Sequence, residues 1–369
     1  MIRFKKEDSS NYPAIKIMKI KDICTVTNGK GNTQDKIDDG IYPFYVRSDN
    51  VERSNKYIFD NEAIITSGDG VGVGKIFHYV NGKYNLHQRC YACFDFKDVN
   101  CKYFYYYFST FFYRRVKRLS AKGSVDSVRL DFITEMDIKV PCLEEQQKIA
   151  DFLSYIDDVI TASEQEVVNL KEQKKGVMQK IFSQEVRFKA DDGSDYPEWE
   201  EKRIADLFKI SAGGDIDKDN SSDEKTEEYI YPVYANSLTN DGLYGYANYY
   251  KVNGETLTVT GRGDVGHATA RHTSYVPIVR LLVLEPIKQQ SVDFFAEVIN
   301  STRILIESTG VPQLTAPQIG KIKVSAPCYE EQKKIADFLS DIDTAIDLAK
   351  QELEQWKELK KGLLQQLFE

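Results

Sequence analysis

One stretch of about forty residues occurs twice in this chain, and the rest must be built around it. PCLEEQQKIADFLSYIDDVI at 141–160 returns as PCYEEQKKIADFLSDIDTAI at 327–346, with 15 of those 20 positions identical. The match continues without gaps at a constant offset of 186, from KEQKKGVMQKIFS at 171–183 to KELKKGLLQQLFE at 357–369. Globular sequences do not repeat this closely by chance, so the chain carries an internal duplication.

Each copy predicts one long helix. Ile149, Leu153, Ile156, Ile160, Ser163, Val167, Leu170, Lys174, Val177 and Ile181 are spaced alternately four and three apart. Ile335, Leu339, Ile342, Ile346, Ala349, Leu353, Trp356, Lys360, Leu363 and Leu367 repeat the pattern. This is a heptad seam, apolar at eight of ten positions in the first copy and nine of ten in the second. At 1.5 Å per residue such a helix is a rod of roughly 60 Å. A proline before each rod and a Glu-Glu pair in its first turn suit a helix start, because carboxylates favour the positive end of the dipole. Two matching seams can satisfy each other, which predicts an intramolecular coiled coil rather than amphipathic helices on two separate cores. Lys174 and Lys360 interrupt the seams, with Gly176 and Gly362 two residues later. Glycine in both copies predicts close backbone approach, to the other rod or to a partner.

The duplication extends into the segments before each rod. Arg3-Phe4-Lys5 and Tyr12-Pro13 match Arg187-Phe188-Lys189 and Tyr196-Pro197, and IYPFY at 41–45 answers IYPVY at 230–234. Between such anchors the two segments share little, which suggests one kind of job done on two targets. Short β-rich runs (57–66, 74–79 and 88–96; 256–260 and 275–284) sit between glycine, asparagine and aspartate turns. Helical stretches at 101–119 and 291–306 follow, then turns at Gly123 and Gly310 and closing strands to Val140 and Val324. The division is 1–140, 141–183, 184–326 and 327–369.

The net charge of −8 looks unsuited to a nucleic-acid binder until it is divided. Residues 1–140 carry 23 Lys and Arg against 17 Asp and Glu, whereas 184–326 carry 15 against 22. The rods are both acidic, and 215–228 alone holds seven acids and two lysines, a solvated loop. Any grip on DNA must therefore come from local patches or a more basic partner. There is no apolar run of 18 residues and no signal-peptide pattern, and the six cysteines form no disulfide-like framework. A cytoplasmic protein is expected.

Catalytic and metal motifs fail on inspection. Residues 67–75, SGDGVGVGK, resemble a phosphate loop, but Asp69 and Ile76 stand where glycine and a hydroxyl residue belong. His87-x-x-Cys90-x-x-Cys93 is metal-like, yet residues three apart on a strand face opposite ways. His267 and His272 lack a third ligand nearby, and Asp215-x-Asp217-x-Asp219 lacks the glycine and closing glutamate of a calcium loop. No nucleophile elbow, Walker loop or Asn/Asp-Pro-Pro-Tyr loop is present. The chain reads as a binding protein with no catalytic residue and no metal.

DNA-contact candidates follow from donor chemistry. The aromatic run 103–112 is core, but Arg114, Arg115, Lys117 and Arg118, with Lys122 beyond, form a dense cationic cluster suited to phosphates. The second segment's counterpart, Arg303, is far weaker. Arg47, Ser48 and Asn50 after the first IYP strand, Asn236 and Ser237 after the second, and Lys75, Arg262, His267 and Arg271 in or near the glycine turns carry donors suited to base edges.

Two unlike globular segments separated by helices opening Pro-x-x-Glu-Glu-Gln-x-Lys-Ile-Ala-Asp-Phe-Leu resemble the specificity (S) subunit of type I restriction-modification enzymes. YPEW at 196–199 adds to the likeness, which spans essentially the whole chain; Tyr12-Pro13-Ala14-Ile15 departs from it by lacking Trp. The resemblance implies an α+β protein with two mixed α/β target-recognition domains, 1–140 and 184–326, each reading half of a bipartite DNA site. Two long antiparallel coiled-coil spacers, 141–183 and 327–369, would hold them with pseudo-two-fold symmetry and suit half-sites about one turn of DNA (~34 Å) apart. It also implies docking of two methyltransferase (M) subunits, with restriction-translocase (R) subunits added. S-adenosylmethionine, ATP and Mg would then serve the partners, with no cofactor in this chain. The alternatives are a duplicated coiled-coil scaffold or adhesion protein that binds protein ligands, and a nuclease in its own right.

Overall fold

Both heptad segments form single unbroken helices of 40 residues, Leu143–Phe182 and Tyr329–Phe368. The computed structural model describes residues 2–70, 72–120, 127–302 and 313–369. Lys122, Gly123, Arg303 and Gly310 lie outside the described residues. The chain divides into two compact units, one of Met1–Glu166 with Ala349–Glu369, the other Val167–Leu348. Each unit thus contains part of both long helices.

In the first unit β1 (Lys16–Lys19), α1 (Ile20–Ile23) and β2 (Thr25–Asn28) lead into β3 (Tyr42–Tyr45), β4 (Glu52–Ser54), β5 (Phe59–Ser67), β6 (Phe77–Leu86) and β7 (Cys90–Phe94). Then come α2 (Cys101–Leu119), α3 (Leu130–Thr134), β8 (Asp137–Val140) and the first long helix, α4. Six strands form one sheet in the order β2-β7-β5-β6-β3-β4, while β1 pairs antiparallel with β8. Hydrophobic and aromatic side chains of α2 fill the main core: Tyr103, Phe104, Phe108 and Phe112 are wholly buried. Phe368, at the end of the second long helix, sets its ring edge-on to Tyr103 and Tyr107, with centroids 5.6 and 5.4 Å away.

The second unit repeats this plan with one break. It holds β9 (Glu200–Arg203), α5 (Ile204–Leu207), β10 (Phe208–Ala212), β11 (Ser221–Ser222), β12 (Tyr231–Tyr234), β13 (Leu243–Ala247) and β14 (Thr256–Val259). There follow β15 (Ala268–Arg271), β16 (Val276–Pro277), β17 (Leu282–Pro286), α6 (Val292–Ser301), α7 (Ala316–Gly320), β18 (Lys323–Ala326) and the second long helix, α8. The single sheet of the first unit becomes two here, β10-β17-β14-β15 and β11-β13-β12-β16, with β18 paired to β9. β6 runs unbroken past Gly82 at φ +119°, whereas the equivalent ten residues, 268–277, split into β15 and β16. The strand expected over 275–284 is likewise interrupted, because Val279 and Arg280 adopt left-handed φ of +51° and +60°. Phe182, at the end of α4, packs edge-on to Phe294 of α6, as Phe368 does to α2.

Within each unit the two long helices lie antiparallel. In the first, Lys360 is 2.5 Å from Asp157 and Lys357 is 3.0 Å from Glu164, so advancing along α4 means retreating along α8. In the second, Lys174 reaches Asp343 at 2.8 Å and Glu297 of α6 at 2.7 Å. Every seam position is buried or half-buried, the lysines included. Lys174 and Lys360 are therefore ion-pair anchors rather than defects. The close approach expected at Gly176 and Gly362 is not made among the described residues: a methyl group added at either would meet none of them within 4 Å.

The Glu-Glu-Gln signature docks each helix onto its unit. Arg3 forks onto Glu145 with Nε and Nη2 at 3.1 and 2.5 Å, and Arg187 onto Glu331 at 3.3 and 2.8 Å; both carboxylates are fully buried. Gln146 donates to the carbonyls of Pro141 and Asp98 and accepts from the Asn100 amide. Gln332 repeats this with Pro327, the Gln290 side chain and the Ser291 amide. Among the described residues no helix is long and apolar enough to cross a membrane.

Candidate nucleic-acid interface

In the first unit the turns at the ends of β2, β3, β5 and β6 converge on one corner. Gly31 forms a parallel bridge with His87, the Gly68 amide donates to the Arg89 carbonyl at 2.8 Å, and the Val128 amide donates to that of Gly68 at 2.7 Å. A Cβ on Gly68 would lie 2.7 Å from the Arg89 oxygen, so glycine is required for this closeness. The resulting cavity of about 450 Å³ is lined by Lys36, Phe44, Arg47, Ser48, Glu52 and His87, among others.

Asp69 sits in the middle of this corner. Arg47 Nη1 donates to its Oδ1 at 2.9 Å and Arg89 Nη1 to its Oδ2 at 2.8 Å. Partial burial pushes the Asp69 carboxyl up, but the two guanidinium hydrogen bonds outweigh it and hold the group below its ordinary value. Buried His87 accepts the Arg89 amide on Nδ1 at 3.2 Å, and burial lowers its pKa. Ser48 donates to the Asn50 carbonyl at 3.0 Å, keeping that turn tight, and Asn50 is exposed. Exposed Gln88 donates to the half-buried Asn32 side chain at 2.6 Å, adding a further amide.

Alongside lie part of the cationic end of α2 and the glycine-rich turn. Lys75 and Lys117 both sit over the Tyr113 ring, 5.3 and 4.7 Å from its centroid, and both are exposed. The structure separates these from the other members of the cluster. Arg114 pairs with Glu369 at 2.5 Å and Arg115 donates to the Phe132 carbonyl at 2.7 Å, so both support the fold. Arg118 is exposed beside them, over a cavity lined by Tyr107, Phe111 and Met136.

The second unit builds the same corner from different residues. Gly214 bridges Ile278 as Gly31 does His87, and the Leu314 amide donates to the Gly261 carbonyl at 3.0 Å as Val128 does to Gly68. Asn236 ties the turns together, donating to the Val279 carbonyl at 2.6 Å and accepting from the Gly261 amide at 2.7 Å. Its side chain is engaged at both ends. Ser237, Arg262 and His267 are exposed, and His267 lines a cavity with Gly263, Asn300 and Thr302.

Arg271 requires a correction. Its side chain is not offered to solvent: it is buried, with its guanidinium 3.6 Å from the Tyr234 ring centroid and donating to Thr258 Oγ1 and the Asp241 carbonyl at 2.9 and 2.6 Å. Its donor chemistry and its place near a glycine turn said nothing about which way the side chain points from the end of β15. Conversely, residue chemistry overlooked Asp69, Arg89 and Arg280. Arg89 stood inside the His/Cys pattern and was read only as part of it. That pattern disperses, because Cys90 and Cys93 enter different cores on opposite faces of the sheet. Among the described residues no three His, Cys, Asp or Glu side chains are grouped to hold a metal ion.

The type I restriction modification DNA specificity domain matches this chain twice, over residues 14–172 and 196–358. A type I restriction enzyme specificity subunit of Methanocaldococcus jannaschii is 25% identical over 370 residues, covering 89% of this chain and 86% of its own. A protein of Mycoplasma pneumoniae, named as a type I specificity subunit, is 28% identical over 335 residues, covering 89% of each. The crystal structure of the S subunit of the M. genitalium type I restriction-modification system shares the fold, with a TM-score of 0.67 at 17% identity over 100% of this chain and 99% of that one. A chain from a study of type I restriction-modification complex assembly gives 0.60 at 12%, covering 96% and 98%. None of this supports the scaffold alternative. With two specificity domains spanning most of its length, the chain belongs to the type I restriction modification DNA specificity family.

Proposed function

We propose that this chain is the DNA-recognition subunit of a type I restriction-modification complex, and that each unit reads one half of a bipartite site. The observation that carries this is the duplicated corner. The same convergence of turns presents arginines on a carboxylate in one unit and an asparagine beside exposed Arg262 in the other. A shared frame with different donors is what two unlike half-sites demand. The functional division is 1–140 and 184–326 for recognition, with 141–183 and 327–369 as spacers that also dock two methyltransferase subunits. Lys75, Lys117 and Arg118 contact phosphates, while Arg47, Ser48, Asn50, Arg262 and His267 sit where base edges pass. Arg114, Arg115 and Asn236 act by holding those surfaces in place.

Catalysis belongs to the partners in this reading. S-adenosylmethionine-dependent adenine N6 methylation falls to the methyltransferase subunits, and ATP- and Mg-dependent translocation and cleavage to the restriction subunits. The test is a mobility-shift assay of the full chain bound to its methyltransferase subunit, followed by mapping of methylated adenines. Sequence-dependent retardation and a motif in two separated parts are expected. Binding without sequence preference, or one contiguous motif, would overturn the proposal.

A further inference from the structure

We propose that Arg47 and Arg89, positioned by Asp69, form the base-reading pair of the first unit and select guanine in its half-site. This rests on the reading of the chain as a DNA-specificity subunit and assigns the chemistry of one of its two sites.

Each arginine gives a single nitrogen, Nη1, to Asp69. Among the described residues, Nε and Nη2 of both make no hydrogen bond or ion pair. That remaining edge is the one able to donate twice to guanine O6 and N7, the commonest specific contact in the major groove. The side chains of Arg47 and Arg89 are 42% and 58% exposed, against 19% for Asp69, so the carboxylate lies beneath and the forks point outward. Asp69 is fixed in turn by the backbone, through the bridge to Ser127 and the Ser67 hydroxyl donating to its carbonyl at 2.9 Å. Two long side chains are thereby ordered before DNA arrives, which lowers the entropic penalty of binding.

Stability does not account for the arrangement. Pairs as exposed as these contribute little to folding, and an acid facing a phosphate backbone is unfavourable unless cations outnumber it. Here they do, two to one. The second unit supplies the contrast. Arg262 follows Gly261 as Asp69 follows Gly68, and Arg280 lies two residues past Ile278 as Arg89 does past His87. An arginine thus replaces the carboxylate, and the second unit does not repeat the clamp.

The experiment uses the full chain bound to its methyltransferase subunit and a pool of randomised duplexes, selected by binding and sequenced. Wild type is expected to enrich a half-site containing G·C. Arg47→Ala and Arg89→Lys should each weaken guanine preference about ten- to a hundredfold at one position, leaving the other half unchanged. Arg89→Lys keeps the charge and loses the fork, so it separates base reading from phosphate attraction. Asp69→Asn should blur the preference at both positions at once, because it loosens both arginines while leaving their charges in place. A uniform fall in affinity with guanine preference intact would overturn the proposal, as would a first half-site lacking G·C. A wild-type complex enriching no sequence would overturn the underlying reading and this one with it.

Discussion

Glu145 and Glu331 occupy the same place in each repeat, yet their surroundings are unequal. Among the described residues Glu145 accepts from Arg3 alone, whereas Glu331 accepts from Arg187 and from Trp199 Nε1 at 3.2 Å. In the first unit the position of Trp199 is held by Ile15, and Tyr12 donates instead to the neighbouring Glu144. Only the carboxylates are fully buried, so removing one takes away a charge-assisted fork and leaves a half-buried guanidinium without its partner. Glu145→Ala should therefore destabilise by about 2 kcal/mol, and Glu331→Ala by at least as much. Glu144→Ala, at an exposed site, should change stability by well under 1 kcal/mol. Denaturant unfolding of the three variants measures the difference; equal effects at 144 and 145 would contradict the clamp. From the sequence, both acids read as helix-dipole partners. Nothing in local pattern says that Arg3, over a hundred residues away in the chain, arrives at one and not the other.

At the scale of elements, what repeats locally was legible and what depends on pairing was not. The four-three spacing specified both 40-residue helices and all their seam positions, because helical burial follows from neighbours a turn apart. Helix 101–119 was equally plain from its run of aromatics. Strand limits fared worse. β6 extends to Leu86 because it pairs with β5 along its length and with β3 at its end, neither of which leaves a local mark. The glycines of the long helices divide the same way. Their recurrence was visible, but the open space around them was not. With no clash to offset propensity, Gly176→Ala should stabilise the isolated chain by about 1 kcal/mol, read from thermal or denaturant unfolding. A loss of stability would mean that the helix needs glycine for a reason internal to the chain. Gly176→Leu should leave the fold intact as well, so a defect confined to assembly with the methyltransferase subunit would place a partner at that spot.

For the whole molecule, duplication and family membership were readable from the chain, but the net charge of −8 concealed where cations are useful. Arg114 and Arg115 belong to the dense cationic cluster and are committed to Glu369 and Phe132; Arg47 and Arg89 stood singly in sequence and meet on one carboxylate. This sorting makes modularity testable. The corner of the first unit draws its described residues from 31–128, all within 1–140. The ties from that segment to α4 include Arg3 onto Glu145, Asp98 and Asn100 onto Gln146, Tyr12 onto Glu144 and Tyr106 onto Asp157. A graft replacing 1–140 with the corresponding domain of another family member should thus keep the helix joint, provided its own arginine and helix-capping residues reach Glu145 and Gln146. Methylated-adenine mapping should then show one half of the motif replaced, the other half and the spacing between them retained. If both halves change, recognition is not confined to separate units. If the spacing alone changes, the joint at Glu145 rather than the length of the helices sets the distance between half-sites, and the spacer role moves from the rods to their clamps.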